Sequence, residues 1–365
     1  MKNAIILLLL SVSVSTYAQV KIVDAKTDEP VAFAHLVIDK GKFGAGSDVN
    51  GVVSLAELSD KMQNAVDTMI TIRHLGYENF EIGYQTLKQL SIIQLTERDV
   101  ILPEVEVTPV KQYDYVVLKG FYRSYHVEDN VLKYYTDGIV EYCISPNKSK
   151  MQFRLLEQRS FRNQDLIDKL KQKSIVVVEI MAKIPRIDGK TIQQELGKEY
   201  IFQPHENRID ILKKNQKVGF VQSDLNSDAA SISVNTILPN QEEKFSIFGY
   251  TARMQKYERM EQFSISDINQ IDVPHLESYM EHTRMYFSHK KDPAEALLEG
   301  TTEFYVTERQ YLTKKELKGI KWKSDYSFPK SSSFSYEYWK DLEQYHIPAS
   351  SSQIENELGK SLIPY

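Results

Sequence analysis

The chain of 365 residues is long enough for about two domains at ~150 residues each. With 42% hydrophobic and 26% charged residues it can bury a proper core, and it is neither disordered nor fibrous. Forty-five Lys+Arg against 50 Asp+Glu leave a net charge of −5, so there is no basic excess to attract a nucleic acid.

Met1 to Ala18 reads as a secretory signal peptide. Lys2 supplies the positive start, Ala4 to Val14 is apolar, and Thr16-Tyr17-Ala18 places small residues where a signal peptidase cuts. The apolar run is shorter than the ~20 residues a membrane-spanning helix needs, so the mature chain is expected to start at Gln19. No Cys follows the run, which disfavours a lipid anchor, and no later stretch is apolar enough to cross a membrane as a helix. The expected location is the periplasm, or an association with the outer membrane. Cys143 is the only cysteine, so no internal disulfide forms and packing must hold the fold. It lies in an alternating segment, Ile139 to Ile144, on the same strand face as Glu141.

From Val20 to Thr108 short strands alternate with turns. Val20 to Val23 is followed by a turn over Asp24 to Pro30 and a strand over Val31 to Asp39. Asp48-Val49-Asn50-Gly51 then leads as a hairpin-type turn into Val52 to Leu55. Strands follow at Met69 to Arg73, Ile92 to Leu95 and Val105 to Val107, with a bend at Gly76-Tyr77. Tyrosine is abundant, with 22 Tyr against 15 Phe and 2 Trp, and aromatic residues suit pleated, half-buried surfaces. Regular strand spacing of this kind predicts a β-sandwich of roughly 90 residues.

The strings Val23 to Val31, Ser47 to Gly51 and His74 to Glu78, closed by Leu102-Pro103-Glu104-Val105-Glu106-Val107-Thr108, resemble the carboxypeptidase-regulatory-like domain. The resemblance covers Gln19 to Pro109. It implies a transthyretin-like sandwich, common in exported Gram-negative envelope proteins, that carries no peptidase residues. The closing string resembles the end of this domain ahead of the plug in TonB-dependent receptors. A plug and barrel would need several hundred further residues, and they are not here. Gly120 to Tyr125 and Lys133 to Tyr142 resemble exported envelope proteins with the same leading sandwich, and no function travels with that likeness.

Residues 110–323 read as an α+β domain with a large antiparallel sheet, so the whole chain is expected to be mainly β. Strands are expected at 131–144, 150–158, 175–184, 199–203, 208–213, 217–222, 230–238, 245–251 and 302–312. Helical spacing of Tyr115, Leu118, Tyr122 and Tyr125 suggests a helix within 112–125. Asn163 is placed to cap a helix over 164–173. Pro274 opens another over 274–288, with Leu276, Tyr279, Met280, Thr283 and Phe287 at helical spacing. Asp292, Pro293 and Glu295 make a capping box for 293–299, stopped by Gly300. Residues 324–365 form a Ser/Tyr-rich tail packed on this domain, with a short helix at 351–360. Two independently folded units are expected, divided close to Pro109.

Chemistry-bearing patterns are few. His275, His282 and His289, spaced by seven, would share a helix face but rise ~10 Å per step, too far to meet at one metal. His205-Glu206 sits in a turn without a second His. Asp48-Val49-Asn50-Gly51 begins like a calcium loop, but strand-like apolar residues follow it, so turn formation is expected. There is no Gly-x-Ser-x-Gly elbow, no Cys–His motif and no phosphate-cradling glycine loop. No catalytic residue, metal or cofactor is therefore assigned, and the chain is not expected to be an enzyme. The leading expectation is an exported module that binds or scaffolds another envelope component, a protein, peptide or glycan. The alternative is a periplasmic carrier with an apolar half-barrel pocket for a lipid or lipoprotein group, and a divergent hydrolase ranks last. The expected partner-binding residues are Tyr336, Tyr338 and Trp339, in a tail segment from Phe334 that alternates aromatic and polar residues. If extended, it places Phe334, Tyr336 and Tyr338 on one side and Trp339 on the other, near the helix of the three histidines.

Overall fold

The computed structural model describes residues 19–38, 42–62, 68–98, 113–145, 152–173, 182–187, 189–224, 228–238, 241–323 and 329–365. The signal peptide (1–18), the boundary at Pro109 and most of the strand expected at 175–184 lie outside the described residues.

The N-terminal strands are β1 (Gln19–Asp24), β2 (His35–Ile38), β3 (Lys42–Gly46), β4 (Val52–Ser54), β5 (Met69–His74), β6 (Tyr77–Gly83) and β7 (Ile92–Leu95). Helices α1 (Leu55–Lys61) and α2 (Tyr84–Leu87) interrupt them. The strands form a three-stranded sheet, β4-β1-β7, and a four-stranded sheet, β3-β2-β5-β6. One core serves both, because Val20 and Ile22 of β1 meet Leu36, Ile70 and Ile72 of the other sheet and Leu58 of α1. The Asp48 carboxylate accepts the backbone N–H of Asn50 and of Val52 at 2.8 and 2.9 Å, and Gly51 adopts φ +77°. This loop is an Asx-type turn, as its composition implies.

The remaining strands are β8 (Tyr115–Glu128), β9 (Val131–Ile144), β10 (Phe153–Arg162), β11 (Tyr200–Pro204), β12 (Arg208–Lys213), β13 (Gln216–Asp224), β14 (Ala229–Asn235), β15 (Glu243–Ile247), β16 (Tyr250–Phe263), β17 (Leu276–His289), β18 (Asp292–Leu312) and β19 (Ile363–Pro364). They make one antiparallel sheet of twelve strands in the order β11-β12-β13-β14-β16-β17-β18-β8-β9-β10-β19, with β15 on β16. The chain is mainly β with a large antiparallel sheet. Between Gln164–Lys173 (α3) and Ser352–Glu355 (α5) only Ile192–Glu195 (α4) is α-helical among the described residues.

Three expected helices are strands. Residues 115–128 are β8, where Leu118 and Tyr122 face one side while Phe121 and Tyr125 face the other. Residues 276–289 are β17, and Pro274 opens only a 3-10 turn over Val273–His275. Residues 293–299 belong to β18, which runs through Gly300 to Leu312. Most of β8 and the first half of β17 are buried on both faces, so their apolar residues do not alternate and mimic helical spacing by coincidence. The α3 helix does form, with Asn163 Oδ1 accepting the Leu166 N–H at 3.0 Å. The helix expected at 351–360 shrinks to the four residues of α5, capped by Ser351.

One face of the large sheet carries the larger apolar core, with buried carboxylates such as Glu261 and Glu281 beside it. Leu118 and Tyr122 of β8, Val140 and Tyr142 of β9 and Phe304 of β18 pack with Ile184, Ile187, Ile192, Ile271 and Val273 from the crossing segments. The other face meets the N-terminal sheets and the tail, where Phe33, Leu75, Phe121, Met280, Tyr305, Tyr338 and Ile347 share a core. An ionic seam runs through this second contact. Glu303 of β18 accepts from Arg123 of β8 at 3.0 and 2.7 Å and from Arg73 of β5 at 2.9 Å, and all three are buried. His35 of β2 lies 3.0 Å from Glu258 of β16, and its ring centre is 4.5 Å from that of His282 of β17, tilted by 59°. Arg98 donates to the His346 carbonyl at 2.9 Å, and Arg123 to that of Pro348 at 3.1 Å, so the tail is held in the same contact.

Burial would raise the Glu303 carboxyl, but Arg123 and Arg73 hold it at about 2 against an ordinary 4.5. A depressed carboxyl stabilises the fold above its unfolded value, and that stabilisation is lost as pH falls from 4.5 toward 2. The difference amounts to ~3 kcal/mol. Glu303→Gln should therefore lower stability at pH 7 by about 3–5 kcal/mol, since it strands two buried guanidinium groups. It should also flatten the stability profile between pH 4.5 and 2. Denaturant titrations across pH check this, and an unchanged acid slope in the variant would contradict it.

Candidate functional site

The tail secures one edge of the sheet before it crosses the face. The outer edge of β10 is paired by Lys323 at Phe153, by Ser333 at Gln158 and by β19 at Phe161 and Arg162. An open strand edge invites pairing with other chains, and these three short pieces occupy it in turn. Ser335 then donates its N–H and hydroxyl to the Glu157 carboxylate at 2.7 and 2.6 Å, and the chain turns inward.

Tyr338 is the anchor. Its side chain is 2% exposed, and its hydroxyl donates to Asp137 Oδ1 at 2.7 Å. Asp137 also accepts from Tyr135 at 2.9 Å and from both guanidinium nitrogens of Arg159 at 3.0 and 2.5 Å. Burial, then the Asp137 carboxylate, push the Tyr338 phenol far above its ordinary range, so it stays protonated and donates. Asp137 sits two strand positions from Tyr135 and directly opposite Arg159 in the β9–β10 register, which explains why the three converge.

The aromatic neighbours of Tyr338 within 334–339 are less buried than it is. The 3-10 turn at Tyr338–Lys340 ends the extended conformation, so the side-by-side alternation expected of 334–339 does not occur. Instead Trp339 packs edge-on against Phe334 at 5.1 Å and against Tyr338 at 5.1 Å, and Tyr336 against Tyr338 at 6.1 Å. The Arg159 guanidinium covers the Trp339 ring at 3.8 Å. Phe334 and Tyr336 are 48% and 51% exposed. The result is an aromatic patch in which Phe334 and Tyr336 are exposed and Trp339 is partly buried against the core, on a backbone pinned from beneath.

Of the expected residues, Tyr336 and Trp339 lie in this patch and Tyr338 beneath it. The histidines do not form a neighbouring stripe. In β17 seven residues span about 23 Å and reverse the facing side. His275 pairs with Asp272, His282 is buried against Thr301, and His289 lies beside Tyr250. Asp137, Arg159 and Phe334 were not singled out, because the first two act through cross-strand register, which local pattern does not reveal. Among the described residues no three His, Cys, Asp or Glu side chains are grouped to hold a metal ion. His126 is fully buried, and burial, then Lys133, hold its imidazole well below the ordinary range.

The chain matches no family model and no curated protein. Two solved structures show slight likeness. DynF from the dynemicin biosynthesis pathway of Micromonospora chersina is 12% identical over 60% of this chain and 95% of its own, with a TM-score of 0.19. The outer membrane protein opdK from Pseudomonas aeruginosa is 8% identical over 48% of this chain and 63% of its own, with a TM-score of 0.12. Neither likeness is close enough to bear on fold or function.

Tyr338→Phe keeps the ring but removes the donor to a buried carboxylate, which should cost about 1–3 kcal/mol. Urea unfolding measures the cost, and limited proteolysis should cut the tail around 334–347 faster in the variant. A variant as stable and as protease-resistant as the parent would show that the hydroxyl does not hold the patch.

Proposed function

We propose that this chain is an exported, non-enzymatic envelope protein that binds or scaffolds another envelope component, a peptide or glycan, through the patch of Phe334, Tyr336 and Trp339. The observation that carries the reading is the contrast within one short segment. Tyr338 is fixed by Asp137 and Arg159, while Phe334 and Tyr336 stay half exposed around it. Exposed aromatic groups on a fixed backbone give up little conformational freedom on binding and bury much area.

The N-terminal part completes the proposal. Residues 19–109 are read as a transthyretin-like sandwich domain on the motifs at 23–31, 47–51 and 74–78, and the two sheets with one shared core are compatible with that reading. Export rests on the pattern of Met1 to Ala18. No helix among the described residues is long and apolar enough to cross a membrane. A carrier would hold its cargo over the sheet face with the larger apolar core, and there Ile184, Ile187 and Ile192 pack against that face.

The test is a pull-down from envelope extract with the mature protein, Gln19 onward, as bait. A triple variant, Phe334→Ala, Tyr336→Ala and Trp339→Ala, leaves Tyr338 in place and should remain folded by circular dichroism. It is expected to lose a partner that the parent retains. Retention of every partner by a folded variant would rule this patch out as the binding surface.

A further inference from the structure

A second feature lies on the same face as the patch, at the far end of β8 and β9. Tyr115 opens β8, and Cys143 lies near the end of β9, opposite Val117. Gln152 follows beside them, its carbonyl accepting the Cys143 N–H at 2.8 Å. After β18 the chain returns over these strand ends as a strap, Thr313 to Lys323. The strap is tied at its start, where Asp114 accepts the Lys314 N–H at 2.9 Å. It is tied at its end by the paired backbone bonds of Lys323 and Phe153. Between strap and strands lies an open groove of about 680 Å³, a size suited to small ligands.

The lining is mainly apolar at its base and basic at its rim. Tyr115, Cys143, Leu317 and Trp322 contribute the apolar surface, and Lys314, Lys315 and Lys318 stand around it. None of these three lysines makes an ion pair among the described residues. The nearby Glu316 is engaged by the Thr313 N–H and hydroxyl at 2.7 Å each. Trp322 contributes its ring to this lining, while its indole N–H is shut off from solvent and does not open into the groove. Lysine carries a positive charge and can only donate. What the groove lacks is an acceptor, preferably an anion, attached to an apolar body.

We propose that this groove is a binding site for a small amphipathic acid, a single hydrocarbon chain ending in a carboxylate, with the chain over Trp322, Tyr115 and Cys143 and the carboxylate among Lys314, Lys315 and Lys318. The site is distinct from the aromatic patch and does not depend on the partner assigned to it. Lysine is a mobile point charge, which suits a carboxylate at varying depth better than a fixed bidentate clamp does.

Because Cys143 is the only cysteine, its alkylation reports on the groove alone. Burial pushes its thiol up to about 11, so labelling by iodoacetamide is slow and any further shielding is measurable. The probe is laurate below its micelle concentration, followed by Cys143 alkylation and by tryptophan emission in a Trp339→Phe background, which leaves Trp322 as the sole tryptophan. Laurate is expected to change the emission saturably and to slow alkylation several-fold. Lys314→Gln, Lys315→Gln and Lys318→Gln together should weaken it at least tenfold. Dodecyltrimethylammonium, with the same chain and the opposite charge, should not bind saturably. Equal binding of both amphiphiles, or undiminished laurate binding by the triple variant, would overturn the proposal. So would a response to phosphatidylglycerol vesicles without one to laurate, which would indicate a lipid surface rather than a free acid.

Discussion

The Glu303 carboxylate is shared by two arginines that approach from different parts of the chain, and the assembly of this molecule turns on that contact. Arg123 reaches it from the adjacent strand of the large sheet, and Arg73 from the N-terminal sheets. A buried ion pair adds little over an apolar contact of the same shape, but a single member left behind costs several kcal/mol. The seam therefore penalises every arrangement in which the N-terminal sheets lift or slide from the large one. Register along β8 and β18 is constrained with it, since a slip of one residue would turn Arg123 and Glu303 to the opposite face. The same contact also holds the tail, through the carbonyls of His346 and Pro348.

This constraint connects the fold to its proposed surfaces. The large sheet uses one face for a core with its own crossing segments, and its second face for the N-terminal sheets and tail. The tail closes the β10 edge, presents Phe334, Tyr336 and Trp339 around the buried Tyr338, and then enters the seam. Beyond the reach of the tail the end of that face is open, and the strap from Thr313 to Lys323 makes the groove there. Patch and groove are thus consequences of how far the second face is covered.

Legibility in the sequence follows the polarity of each strand's surroundings. The expected 131–144 and 208–213 match β9 and β12 residue for residue, because their turns are marked at both ends. Strands β8 and β17 and the first part of β18 (293–299) read as helix, whereas 302–312 of β18 reads as strand. In β17 Glu277, Tyr279 and Glu281 face one side and Ser278, Met280 and His282 the other, all buried, so no alternation of polarity survives. What makes those polar residues tolerable inside is a set of partners remote in sequence, such as Lys183 for Glu281 and Arg309 for Glu277. Local pattern cannot display such partners. The aromatic richness of 334–339 was visible, but the Asp137–Arg159–Tyr338 group that orients it exists only once β9 and β10 are in register.

A double-mutant cycle between Arg73→Met and Glu303→Gln, read as unfolding free energy at neutral pH, tests the central constraint most directly. If the two groups join the N-terminal sheets to the large sheet, the double variant will be more stable than the sum of the single losses predicts, with a coupling of about 2 kcal/mol or more. Losses that add to within about 0.5 kcal/mol would show that the two residues act independently, and the seam would not be what sets the arrangement.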